Sequence, residues 1–187
     1  GTETEEHPNI IFLQLESFFD VNRLRRVHFE SEPLPVFSEL EANFPSGQLI
    51  VPSLATGTAN TEFEVLTGMC LDYFGVGEYP YQTILQNETC ESIAYNMKAL
   101  GYTAHAIHNH SGDFYDRQNV FANLGFDTFT SVEYMQNVER NENGWAKDKV
   151  LTTEILKALG STQGEDLIYA ISVQAHGQYP DGEGGED

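Results

Sequence analysis

Glu16 ends the apolar run Ile10-Ile11-Phe12-Leu13-Gln14-Leu15, and Thr58 opens the run Thr58-Ala59-Asn60-Thr61-Glu62-Phe63 directly after a glycine. The first pattern reads as a buried strand that stops on a carboxylate, the second as a helix whose N-terminus carries a hydroxyl. Together they are the parts needed to hold a divalent cation against an oxygen nucleophile, the arrangement of phosphoryl-transfer chemistry. Each residue also has an ordinary reading. A strand-end acid can be a surface group, and Thr58 can be a helix cap within a capping pattern.

Other chemistry-bearing residues fall at element ends. His108, Asn109 and His110 close an alternating stretch, so both histidines share one face and suit a hydrogen-bonding role near a site. Arg117 follows Phe114-Tyr115-Asp116 at a helix start, where a guanidinium can clamp a phosphate or simply be solvated. His176 ends a long apolar run beside Gly177. Arg23, Arg25 and Arg26 form a cationic cluster that reads as a solvated counterweight. Trp145 reads as a packing residue at its helix start. Cys70 and Cys90 match no metal-ligand spacing and read as two separate buried thiols, with a disulfide as the alternative.

The elements that must position these groups alternate. Strand patterns cover 10–15, 47–51, 102–107, 126–129 and 167–173, and helix patterns cover 36–43, 58–69, 90–100, 116–124 and 146–159. The periodicity predicts an α/β domain with a mainly parallel sheet, the first strand central in it and Thr58 capping its helix. In such sheets ligands bind beyond the carboxyl ends of the strands, where Glu16, His108 and His176 all fall.

Nine Lys and Arg against 29 Asp and Glu give the 187 residues a net charge of −20. That balance argues against nucleic acid or an anionic membrane surface as a direct partner, since phosphate backbones are bound by cations. No stretch of 18 apolar residues occurs, and the opening residues do not have the pattern of a signal peptide. An opening without Met and an acidic, Gly-rich end read as an excised piece. The boundaries expected are a flexible segment over 1–7, a domain over 8–180 and a tail over 181–187.

Four motifs in order carry a resemblance: Pro8-Asn9-Ile10-Ile11-Phe12-Leu13-Gln14-Leu15-Glu16-Ser17, Gly57-Thr58-Ala59-Asn60-Thr61-Glu62-Phe63, Phe114-Tyr115-Asp116-Arg117 and Val173-Gln174-Ala175-His176-Gly177. The chain resembles the extracellular catalytic domain of lipoteichoic acid synthases and related phosphoglycerol transferases, in the sulfatase branch of the alkaline phosphatase superfamily. The resemblance implies a three-layer alkaline-phosphatase-like α/β fold, truncated at its C-terminus. It implies Glu16 and Thr58 as ligands of one Mn²⁺ or Mg²⁺, Thr58 as nucleophile, and Arg117, His176 and Tyr115 around the glycerol-phosphate group. Tyr115 stands where lipoteichoic acid synthases carry Trp. The family's remaining ligands are a consecutive Asp-His pair downstream, and no such dipeptide occurs here.

The implied activity is transfer of glycerol phosphate from phosphatidylglycerol to a glycerol-phosphate polymer or glycan through a phospho-threonine. The parent protein would be membrane-anchored by segments outside this chain, with the domain outside the cell and the isolated piece inactive. Alternatives are a phosphodiesterase of the same superfamily or a non-catalytic binding domain. Sulfatase activity itself is disfavoured, because Met69-Cys70-Leu71-Asp72-Tyr73 lacks the signature that is converted to formylglycine and Thr58 cannot form that aldehyde.

Overall fold

The computed structural model describes residues 7–52 and 57–177. It resolves into two units: the segment Phe18–Val51, and a larger unit built from the residues on either side of it.

In the larger unit four parallel strands form one sheet in the order β1-β4-β2-β3, with β1 at Ile10–Gln14, β2 at Thr103–His108, β3 at Thr128–Ser131 and β4 at Asp166–Ile171. β4 is buried along its whole length, as a strand covered on both faces must be. Leu167, Tyr169 and Ile171 point to one face and Ile168 and Ala170 to the other, following the two-residue period.

The first face packs on α2 (Thr58–Thr67), α3 (Ile93–Ala99) and α4 (Arg117–Asn123), through Phe63, Leu66, Ala94, Val120, Phe121 and Leu124. The second packs on α5 (Lys149–Leu159) through Val150 and Leu151. Helices on both faces of a parallel sheet make the three-layer α/β architecture that the alternation predicts.

Local signals explain the helix ends. α2 buries Ala59, Glu62, Phe63 and Leu66, one face at helical spacing, and stops at Gly68 in the left-handed conformation. α3 starts on Ser92, whose Oγ accepts from the Ala94 N–H at 3.0 Å and donates to the Leu124 carbonyl at 2.5 Å.

Three expectations need correction. β1 is at the edge of the sheet among the described residues, pairing only with β4, and Ile11 and Leu13 are about half exposed. Its alternating burial is that of a strand covered on one side. Residues 47–51 form no strand. Ile50 is 95% exposed, and a short apolar run becomes a strand only where a partner ladder exists. The two cysteines are free, but Cys70 is exposed and Cys90 half-buried rather than core thiols.

The smaller unit contains α1 (Pro35–Asn43), opened by proline at its first position, and a 3₁₀ turn over Val21–Arg23 capped by Asp20. Arg23 pairs with Asp20 at 3.2 Å and with Glu41 at 3.7 Å, the solvated counterweight expected of that cluster. Among the described residues no helix is long and apolar enough to cross a membrane. Residues 1–6 and the tail at 181–187 lie outside the described residues.

Candidate functional site

Glu16, Thr58 and His176 meet at the carboxyl end of β1 and β4. Glu16 lies two residues beyond β1, and its backbone N–H donates to Ser172 Oγ at 3.0 Å, while the Ser172 N–H donates to the Gln14 carbonyl at 3.0 Å. This stitch carries the strand pairing past its last ladder and fixes where the carboxylate emerges. The next residue, Ser17, is held at φ 57, a left-handed conformation that non-glycine residues rarely adopt and that concentrates at functional sites.

Glu16 is 7% exposed, and burial pushes its carboxyl above the usual range. His176, Arg117 and a side-chain polar interaction with Thr58 pull the other way, and Glu62 adds to the burial effect. His176 Nε2 lies 3.6 Å from Glu16 Oε1.

Thr58 occupies the first helical position of α2, not the cap. Gly57, at φ 81, is the cap residue, and no side-chain cap hydrogen bond is made. The capping reading of Thr58 therefore gives way. Gly57 makes the turn that a β-carbon would strain, and Thr58 is left facing Glu16 at the positive end of a ten-residue helix.

Arg117 begins α4 after two consecutive left-handed residues, Tyr115 at φ 61 and Asp116 at φ 48. Only 1% exposed, it forms a two-point pair with Glu62 of α2: Nη2 to Oε1 at 2.7 Å and Nε to Oε2 at 3.2 Å. Burial works against its charge, but Glu62 outweighs that and holds its pKa above the ordinary value. Nη1 donates weakly to the Phe114 carbonyl at 3.4 Å, and the guanidinium carbon is 5.3 Å from the centre of the Tyr115 ring.

Behind these residues is an imidazole and indole wall. His108 Nδ1 is 3.0 Å from the Ile171 carbonyl, so it carries the proton and leaves Nε2 as the acceptor. Burial, then the Arg117 charge, lowers its pKa to about 3. The His108 and His110 ring centres are 5.7 Å apart, sharing a face as expected. Trp145 is four residues ahead of α5 rather than packed at its start, with ring centres 5.4 Å from His110 and 4.8 Å from His176.

The structure brings Glu16, Thr58 and His176 together, holds Arg117 on Glu62 with Tyr115 against it, and adds three residues that the sequence reading missed. Glu62 looked like part of a capping pattern. Ser172 is an unremarkable serine in an apolar run. Asp148 carries no signal in the sequence, and its Oδ1 accepts from the N–H groups of Val173 at 3.1 Å and Gln174 at 3.0 Å and from Asn109 Nδ2 at 2.9 Å. It thereby fixes the turn that presents His176, whose N–H donates to the Val173 carbonyl at 2.9 Å. A sequence signal existed only for Glu62, whose spacing puts it on the same helix face as Thr58.

Glu16 and Thr58 supply two oxygen donors of the kind that hard divalent cations take. Such ions need about six, and among the described residues no group of three or more His, Cys, Asp or Glu side chains is placed to hold a metal ion. The donor set fits part of a coordination shell and not a whole one.

A family model described as Sulfatase matches residues 8–184. The chain is 34% identical over 179 residues to a Rhizobium meliloti protein named for cyclic β-1,2-glucan modification, a match covering 96% of this chain and 27% of that protein. Its fold is similar to that of the lipoteichoic acid synthase of Listeria monocytogenes, with a TM-score of 0.76 and 23% identity over 91% of this chain and 41% of the other. It is also similar to that of the phosphoglycerol transferase of Streptococcus pyogenes, solved with sn-glycerol-1-phosphate, with a TM-score of 0.77 and 24% identity over 92% and 47%. The chain thus spans less than half the length of each of these proteins.

Proposed function

The chain belongs to the sulfatase family, and from that premise we propose that it carries the nucleophile side of a centre that transfers glycerol phosphate from phosphatidylglycerol to a hydroxyl acceptor. The observation that carries this reading is the meeting of Thr58, at a helix N-terminus, with the buried Glu16 carboxylate and His176. Similarity to phosphoglycerol transferases favours a phosphodiester over a sulfate ester, and a threonine cannot become the aldehyde that sulfate-ester hydrolysis needs.

In this reading Thr58 Oγ attacks the donor phosphorus. The new Oγ–P bond forms as the bond to the diacylglycerol oxygen breaks, and the threonine proton ends on that leaving oxygen. His176 Nε2, beside Glu16, is placed to relay it. An acceptor hydroxyl then attacks phosphorus, the P–Oγ bond breaks, and the acceptor's proton returns to Thr58. The α2 N-terminus faces the phosphoryl oxygens and favours their growing charge.

Glu16 and Thr58 would hold a Mn²⁺ or Mg²⁺, with further ligands from outside the described residues. When bound, that ion supplies charge stabilisation of the alkoxide and the phosphoryl group. Arg117, fixed by Glu62 and shut from solvent, would act on the donor phosphate through its charge, and Tyr115 would wall the head group. The domain would act on the outer face of the membrane, where its lipid donor lies.

The test is release of diacylglycerol from labelled phosphatidylglycerol by the longer parent protein. Thr58→Ala should reduce it at least a thousandfold, and undiminished release would refute the assignment.

A further inference from the structure

A cavity of about 410 Å³ is lined by Asn109, His110, Glu133, Arg140, Asn143 and Trp145. That volume is in the range of small-molecule sites. Trp145 joins it to the centre above, since its indole lines the cavity and also packs on His176, which in turn reaches Glu16.

The lining holds hydrogen-bonding capacity with no partner among the described residues. Asn109 is 1% exposed, and its amide nitrogen is fixed by the Ala146 carbonyl at 3.3 Å and Asp148 Oδ1 at 2.9 Å. Its Oδ1 has no hydrogen-bond partner among the described residues. Buried polar atoms left this way are costly and few in native proteins, and at a cavity wall they mark where a ligand or water completes the set. His110 is kept neutral by burial and then by Arg117, which lower its pKa, so its ring can both donate and accept.

The charge balance at the cavity narrows the ligand. The Glu133 carboxylate is hydrogen-bonded to Ser131, Ser111 and the Gly112 N–H, which against its desolvation hold its pKa down to about 2. It is therefore a fixed negative charge opposite one cation, Arg140, whose Nη1 already donates to the Gly144 carbonyl at 2.8 Å. A phosphate would meet Glu133 unfavourably. An aromatic face beside amide, imidazole and carboxylate groups instead matches a neutral sugar, whose C–H face stacks while its hydroxyls both donate and accept.

We infer that the cavity behind Trp145 is the acceptor subsite of the centre proposed above and takes a neutral sugar residue, not a glycerol-phosphate unit. The inference rests on that reading for its role in transfer, but sugar binding can be measured without it. Trp145 is the one tryptophan in the sequence and reports on the cavity directly.

Titrating the full chain with sophorose, a β-1,2-linked glucose disaccharide, should give a saturable change in tryptophan emission in the millimolar range. Asn109→Ala and the more exposed Arg140→Ala should each weaken it about tenfold, and sn-glycerol-1-phosphate should not displace the sugar. Absence of a saturable change, unaltered affinity in a folded Arg140→Ala variant, or displacement by glycerol phosphate would each overturn the proposal. Diacylglycerol release by the unsubstituted parent protein reads the donor chemistry separately. Its failure would remove the proposed function and leave the titration to decide whether the cavity binds sugar.

Discussion

Arg117 and Glu62 close on each other through two hydrogen bonds, 2.7 and 3.2 Å, with both side chains shut off from solvent. The pair ties the first turn of α4 to the second turn of α2, so the residue expected at the donor phosphate and the helix carrying the proposed nucleophile move as one piece. Arg117 cannot then be read as a free cation waiting for a ligand. Its guanidinium is already oriented and enclosed, so its first effect on the site is to hold α2 in place.

Removing either partner leaves the other charge buried and alone. Arg117→Ala is expected to destabilise the fold by about 3–5 kcal/mol, well beyond the loss of one substrate contact. The double replacement Arg117→Met with Glu62→Leu should recover much of that loss while leaving donor cleavage abolished. Urea unfolding of both variants checks this, and equal destabilisation by the single and double changes would contradict it.

Glu16 presents the opposite trade. Its carboxylate is desolvated, and burial raises its pKa despite Thr58 and His176. Glu16→Gln keeps the shape and removes the buried charge, so thermal stability at neutral pH should rise by about 1 kcal/mol while diacylglycerol release by the parent protein falls away. A glutamine variant less stable than the parent at pH 7.5 would show that the carboxylate is placed there for the fold.

The sheet and helices were legible because their signals are local. The apolar run 167–173 holds the fully buried strand Asp166–Ile171, and the 150, 151, 155 periodicity is α5. Thr58 and Glu16 were legible by position at element ends. What escaped depends on contacts distant in the chain. Asp148 meets Val173 and Gln174, and Glu62 meets Arg117 55 residues away. No periodicity encodes such pairs. The run 47–51 failed for the converse reason, because β-branched and apolar residues permit a strand but cannot supply its neighbour.

Gly125 is a place where only glycine fits. It turns the chain between α4 and β3 at φ 89, and a β-carbon there would stand 2.8 Å from three atoms of the Tyr95 ring. Left-handed strain costs about 1–2 kcal/mol and overpacking about 1–3, so Gly125→Ala should lose roughly 2–5 kcal/mol in urea unfolding. Adding Tyr95→Ala removes the clash but not the strain, and the double variant should then lose less than the two single changes summed. Simple additivity would rule the clash out.

His108 makes stability depend on pH in a readable direction. Its folded pKa is lowered from 6.5 to about 3, because burial and Arg117 oppose a second positive charge. Below pH 6.5 the unfolded chain binds a proton there that the folded chain refuses, so stability falls as pH falls and continues to fall until about pH 3. The slope approaches one proton, about 1.4 kcal/mol per pH unit. His110, also lowered, adds in the same sense, whereas the raised Glu16 works against it. The lowered carboxylates of Asp127 and Glu133 contribute mainly at more acid pH. His108→Gln retains a donor for the Ile171 carbonyl and cannot titrate. Between pH 6.5 and 5 its unfolding free energy should be flatter than that of the parent by close to one proton's worth. Parallel curves for the two proteins over that interval would mean that His108 is protonated in the fold, and the electrostatic account of the imidazole wall would have to be abandoned.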